Sequence, residues 1–243
     1  MPVALVTGAS KGIGAACAVA LADAGYDVGL TYGADRDGAE EVAARVRAAG
    51  VRAHVQRNEA ADPDAAPAMV AAAEEALGPL DALVANAGIT RDGPAVRMTG
   101  EAWRAPIAIN LTGTMAAARA ALARMVARGS GCIVAISSVV GVQGNAGQAN
   151  YAASKAGIIG LVRALAREAG PSGVRVNAVA PGYVTTRLTD VLSDTHRDHL
   201  LGATALARLG APEDVAGPVT FLCSPAAGFI TGTVLAVDGG LRI

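Results

Sequence analysis

Short apolar runs rich in β-branched residues alternate along the chain with longer Ala-rich stretches. The runs are VALVT (3–7), DVGLT (27–31), RAHVQ (52–56), LDALVAN (80–86), CIVAIS (132–137), RVNAVA (175–180) and TVLAV (233–237). They have the length of strands, and most are apolar on successive residues, which predicts strands covered on both faces. Between them, residues 12–24, 36–49, 63–77, 110–128, 149–169 and 212–223 repeat apolar positions every three or four residues, as at Leu161, Leu165 and Ala169. That period predicts amphipathic helices. Strand–helix alternation of this kind implies an α/β fold, a doubly wound parallel sheet of about seven strands with helices on both faces. No repeat, linker or low-complexity segment interrupts it, so one domain is expected over 1–243. The rhythm breaks at 187–206, which holds TDVLSDTHRDHLL. That stretch is either a mobile substrate lid or an ordinary surface helix pair. Pro106 is also out of pattern. A proline inside a helix removes a backbone hydrogen bond, so the helix that bears Asn110 is expected to begin near Ile107, with Pro106 in its first turn.

The composition fits this picture and removes some functions. The 243 residues are 52% hydrophobic and 17% charged, with a formal net charge of -1. There is ample material for a large core, and no basic block or basic–aromatic stripe, so nucleic acid is not an expected partner. The three cysteines, Cys17, Cys132 and Cys223, lack CxxC spacing and a nearby histidine cluster. They are expected as buried thiols in a reducing compartment, and no metal site is expected. No export signal is evident at the N-terminus and no apolar run is long enough to span a bilayer, so a cytoplasmic protein without a membrane partner is expected.

Chemistry first shows at TGASKGIG (7–14), directly after the first strand. Glycines allow a tight turn and close backbone approach to a pyrophosphate, and the following helix aims its N–H groups at that anion. The spacing GxxxGxG, at Gly8, Gly12 and Gly14, resembles the short-chain dehydrogenase/reductase family. Further segments agree in order: NAG (86–88), Asn110, Ser138 after the fifth strand, YAASK (151–155) beginning 13 residues later, and PGYVTT (181–186). The resemblance covers essentially the whole chain. It implies a Rossmann-like fold and a nicotinamide dinucleotide held by Gly8, Ser10, Lys11, Gly12, Ile13 and Gly14 at the turn. It also implies Glu59 and Ala60 at the adenine, then Asn86, Ala87 and Gly88, with Tyr151 and Lys155 at the nicotinamide end. Pro181, Gly182, Val184 and Thr186 complete the set.

The second strand ends in Thr31, Tyr32 and Gly33, with no carboxylate to hold a ribose 2′-hydroxyl or to repel a 2′-phosphate. Lys11 is within reach of such a phosphate, and Arg36 is either a second cation or a solvated helix-start charge. NADP(H) is therefore the expected cofactor.

Only two of the 20 basic side chains are lysines, Lys11 and Lys155. Tyr151 and Lys155 are spaced i, i+4 and share a helix face. Free tyrosine titrates near about 10, and a neighbouring ammonium favours the phenolate, so Lys155 is expected to lower the Tyr151 pKa. A compact ammonium on a flexible stem serves a sugar hydroxyl and the tyrosine together, where a planar guanidinium does not fit. The resemblance implies the remaining roles. Ser138 orients the substrate carbonyl, Tyr151 donates the proton, Lys155 holds the ribose, and Asn110 holds a water that relays protons.

The flanking segments NAGITRDG (86–93), RMTGEAW (97–103), SSVVGVQGNAGQANYAASKAG (137–157) and ITGTVLAVDGG (230–240) resemble the 3-oxoacyl-[acyl-carrier-protein] reductase branch of the family. That implies NADPH-dependent reduction of a carrier-bound β-ketoacyl thioester to the (3R)-hydroxyacyl thioester, and a homotetramer. The carrier protein is acidic, and Arg124, Arg128, Arg163 and Arg167 are its candidate contacts or else solvated and interface charges. A ketoreductase acting on a carrier-bound polyketide shares the scaffold, the lid and the 94–97 loop being where the two would differ. A non-catalytic NADP(H)-binding scaffold is the third reading, and the intact Asn–Ser–Tyr–Lys set argues against it.

Overall fold

The computed structural model describes residues 1–185 and 201–241. Seven strands form a single parallel sheet in the order β3-β2-β1-β4-β5-β6-β7. They are β1 (Val3–Val6), β2 (Asp27–Tyr32), β3 (Ala53–Arg57), β4 (Ala82–Ala85), β5 (Gly131–Ile136), β6 (Val174–Pro181) and β7 (Val234–Val237). Helices α1 (Gly12–Asp23) and α2 (Arg36–Ala48) cover one face with α8 (Pro212–Cys223). The other face carries α3 (Ala66–Leu77), α5 (Gly113–Arg128) and α7 (Ala149–Ala169). Successive strand residues point to opposite faces. Val6, Leu30 and Val134 enter the first core, and Leu5, Leu83 and Ile133 enter the second. Double coverage is therefore why the strands read as continuous apolar runs. Cys17, Cys132 and Cys223 are free, buried and gathered in the first core.

Two predicted helices are built differently. The 63–77 stretch is a 3₁₀ turn, Pro63–Ala65, followed by α3, with Pro67 in the first turn where a missing N–H is harmless. The helix that bears Asn110 does not begin at Ile107. The Thr99 hydroxyl accepts the Ala102 N–H and starts α4 (Gly100–Pro106), which runs through a π-helical turn (Ile107–Thr112) into α5. Pro106 therefore closes a helix, and the irregular backbone it imposes passes directly into the turn that holds Asn110. A short helix, α6 (Val139–Gln143), had no signature in the pattern.

Of the 187–206 stretch, residues 187–200 lie outside the described residues. Residues 201–206 run beside the C-terminal segment, where the Leu206 N–H donates to the Gly239 carbonyl at 3.0 Å. Among the described residues no helix is long and apolar enough to cross a membrane.

Strand order reverses between β1 and β4, and ligands of open α/β sheets bind beyond the carboxyl ends at such a switch point. The two tips are tied there: the Thr7 N–H donates to the Val84 carbonyl, and the Thr7 hydroxyl accepts the N–H groups of Asn86 and Ala87.

Candidate active site

A cleft of about 730 Å³ opens over these strand tips. Its first end is the glycine turn. A Cβ on Gly14 would stand 2.3 Å from the Gly8 carbonyl oxygen and 2.5 Å from Asn86 Nδ2, so only glycine lets the turn close. Asn86 spends both hydrogens of Nδ2 on the Thr7 and Gly8 carbonyls, each at 3.0 Å, and braces the turn from β4. Thr31 braces it from β2, its carbonyl accepting the Ala9 N–H at 2.8 Å. No side chain caps the N-terminus of α1, and its first turn carries no acid. Its N–H groups are thus directed at the cleft in the manner that suits a phosphate.

Most of the residues that the resemblance implies lie on the cleft wall. Gly8, Ser10, Lys11, Gly12 and Ile13 line it, and so do Glu59 and Ala60 at the end of β3. Asn86, Ala87 and Gly88 follow from β4, and Pro181, Gly182 and Val184 from β6. Gly14 lies within the turn. Arg36 does not line the wall: it begins α2, whose N-terminus is held by the Asp35 carboxylate accepting the Gly38 N–H. Thr186 lies outside the described residues. The strand register sets Arg57 opposite Tyr32, a cation at the neighbouring strand end that no local spacing pointed to because it closes a different strand; like Arg36 it does not line the wall.

The second end gathers Ser138, Tyr151 and Lys155. Ser138 caps α6, its oxygen accepting the Val140 N–H at 3.2 Å, which leaves its own hydrogen for another acceptor. Lys155 is buried, and its ammonium donates to the Ile136 carbonyl at 2.7 Å while lying 5.6 Å from the Tyr151 ring centre. Asn110 is buried behind this wall, tied to both backbone polar groups of Ile89 and donating to the Ser154 hydroxyl at 3.0 Å. A Cβ at Gly88 would come within 3.2 Å of Asn110 Oδ1 and 3.5 Å of Lys155 Nζ, so the two meet at this glycine.

The electrostatics correct one expectation. Burial pushes the Tyr151 phenol up to about 12, hydrogen bonding from Ser138 pulls it back in part, and the Asp92 carboxylate adds to the rise. Lys155 is itself pushed down to about 8 by burial. Loss of hydration therefore sets the sign of the shift, opposite to the lowering expected from the ammonium, and Tyr151 holds its proton at neutral pH. A phenol in that state is a loaded proton donor.

A polar arch at the outer rim was not legible in the sequence. Gln148 donates to the Asp92 carboxylate at 2.8 Å, and Asn145 donates to Gln148 at 2.9 Å and to the Tyr183 hydroxyl at 3.4 Å. All four line the cleft, whereas the loop at 94–97 does not. The candidate carrier contacts divide. Arg124 and Arg128 both pair with Glu74, at 2.7 and 3.2 Å, while Arg163 and Arg167 are exposed on α7.

Residues 8–242 match a family model described as Enoyl-(Acyl carrier protein) reductase. The 3-oxoacyl-[acyl-carrier-protein] reductase FabG of Staphylococcus aureus is 44% identical over 238 residues, which is 98% of this chain and 97% of that one. The 3-oxoacyl-[acyl-carrier-protein] reductase of Synechocystis is 44% identical over 240 residues, 98% of this chain and 96% of its own. A solved Sinorhizobium meliloti structure, described as a short-chain alcohol dehydrogenase, superposes with a TM-score of 0.95 at 38% identity, covering 98% of this chain and 95% of that one.

Burial of Lys155 yields a stability test that is independent of any activity. A fall from 10.5 to about 8 corresponds to a cost of about 3 kcal/mol for keeping the charged form in the fold. Between these values the unfolded chain binds the extra proton, so this contribution to stability rises with pH across that window. Lys155→Met removes the charge and forfeits a hydrogen bond worth about 1 kcal/mol. Thermal unfolding at pH 7 should show the variant more stable by about 5 °C, with the gap closing from pH 8 to 10.5. A variant less stable than wild type at pH 7 would refute the account.

Proposed function

The chain belongs to the short-chain dehydrogenase/reductase family, and on that premise we propose that it reduces the keto group of a 3-oxoacyl thioester carried on an acyl carrier protein, with NADPH as reductant. The observation that carries this reading is the meeting of Ser138, Tyr151 and Lys155 at one end of a cleft whose other end is an uncapped, glycine-turned helix start. The names of the curated relatives support the thioester substrate. The close approach of Gly14 to Gly8 and the open N–H groups of α1 fit a pyrophosphate. Lys11 on the cleft wall, and Tyr32 and Gly33 in place of an acid, favour a 2′-phosphate.

When bound, the nicotinamide dinucleotide supplies the hydride. The protein supplies orientation and the proton. Ser138, whose oxygen accepts the Val140 N–H and whose hydroxyl reaches Tyr151, turns its hydrogen to the substrate carbonyl oxygen when the substrate is bound. Tyr151 gives its proton to the same oxygen as negative charge develops there, and donors preset at that position lower the barrier. Lys155 holds the nicotinamide ribose and stabilises the phenolate left behind. Asn110 stands at the inner end of the relay that restores the proton, next to Lys155 across Gly88.

The family model's description names enoyl reduction, in which an alkene is reduced. The adjacent hydroxyl groups of Ser138 and Tyr151 on the cleft wall favour a carbonyl oxygen as the group received. In this reading Arg163 and Arg167 remain available to steer an acidic carrier, because Arg124 and Arg128 are paired with Glu74. The protein works in the cytoplasm as a homotetramer, and exposed Met115 and Val126 on α5 are compatible with that assembly.

Tyr151→Phe should lower kcat for a 3-oxobutanoyl thioester by about 100-fold or more while the fold and NADPH binding persist. Near-normal turnover, or faster turnover of a 2-butenoyl thioester by the wild type, counts against the proposal. NADPH should outperform NADH in kcat/KM, and Lys11→Ala should narrow the gap by about tenfold, as for a lost charged hydrogen bond. Equal efficiency with NADH removes the cofactor preference. The carrier-bound substrate should exceed its small thioester mimic in kcat/KM, and equality argues against a carrier.

A further inference from the structure

Asn150 precedes Tyr151 in the first turn of α7 and is fully buried. Its side chain uses every hydrogen it has. Nδ2 donates to the Arg91 carbonyl at 2.7 Å and to the Ala102 carbonyl at 2.7 Å, and Oδ1 accepts the Tyr151 N–H at 2.7 Å. The Ala102 carbonyl is the one that an α-helix would pair with the N–H of residue 106. That residue is Pro106, which has none. The Asn150 carboxamide thus stands in for the hydrogen bond that Pro106 cannot make. The N-cap of α7, Gln148, provides no side-chain cap, so the Tyr151 N–H relies on Asn150.

The other backbone polar group of Tyr151 is held in a similar way. Its carbonyl accepts from the Ser154 hydroxyl at 2.7 Å, and that hydroxyl accepts from Asn110. Asn110 and Asn150 also grip the same loop after β4, at Ile89 and Arg91 respectively. We propose that Asn150 is a positioning residue that fixes Tyr151 against α4, the π turn and the β4 loop, so that the phenol stays aligned with Ser138. This inference rests on the reading of Tyr151 as proton donor. A group that acts by alignment should affect turnover more than substrate capture, since small misplacements of a reacting group cost up to about 100-fold in rate.

The test uses the full-length protein, NADPH and a 3-oxobutanoyl thioester. Asn150→Ala should lower kcat by about 10- to 100-fold, with KM and the NADPH dissociation constant changed by less than about threefold. Adding Pro106→Ala supplies a new N–H for the Ala102 carbonyl and should recover at least about fivefold of the lost kcat, judged against Pro106→Ala alone. Should Asn150→Ala not fold, Asn150→Ser, which retains one buried donor, carries the same comparison. Wild-type kcat in the Asn150 variant overturns the inference. So does a loss spread equally over kcat, KM and NADPH binding with no recovery from Pro106→Ala, which is the signature of a merely structural role. Tyr151→Phe is measured in parallel. If it turns over normally, the proton-donor reading falls and takes the inference with it. If it is inactive while Asn150→Ala is unimpaired, the inference alone falls.

Discussion

A parallel sheet covered by helices on both faces admits a polar side chain along its strands only where it is fully hydrogen-bonded, as at Asp27 and Asn177, and the chemistry of this protein collects instead beyond the strand ends. β1 and β4 are wholly apolar and buried, and the first polar residues, Thr7 and Asn86, occur just beyond their carboxyl ends. Those two side chains then make the hydrogen bonds that weld the glycine turn to β4. Ser137 does the same after β5, donating to the Lys155 carbonyl at 2.8 Å and anchoring α7 to the sheet. The cleft is therefore an end of the sheet where polar groups beyond the strand tips find partners in the loops and helix starts around them.

Burial acts in opposite directions on the two ionisable groups at the centre of the cleft. It destabilises the charged form of each, so the phenol of Tyr151 rises and the ammonium of Lys155 falls. The rise keeps a proton on the group positioned to donate one. The fall brings Lys155 close to the range in which it releases and regains a proton easily. The Ile136 carbonyl keeps the ammonium in place, while burial of the charge works against the stability of the fold. That opposition between stability and function is the usual mark of a site under chemical demand.

Much of the fold was legible because its signals are local. Seven apolar runs gave seven strands, and the i, i+4 spacing of Tyr151 and Lys155 set them on one helix face before any contact was known. The glycine turn was legible for the same reason: three glycines within seven residues must either bend the chain or serve no purpose. Pro106 stands out in the sequence as an anomaly, yet its consequence depends on residues far from it in the chain. Helix α4 is started by Thr99, seven residues earlier, and only the packed structure reveals Asn150 repairing the carbonyl that Pro106 leaves open.

The sequence by itself determined the order of strands and helices along the chain, the glycine turn, and the placing of Tyr151 and Lys155 on one helix face, since each depends on neighbours within a turn or a strand. Tertiary structure decided what no local spacing encodes. Glu74 pairs with both Arg124 and Arg128 from about fifty positions away. Gln148 and Asp92 join across the rim. Asn150 reaches back to Arg91 and Ala102. The sign of the Tyr151 shift was also settled there, because it follows from how much water the assembled walls remove, a quantity that exists only once the distant segments are in contact.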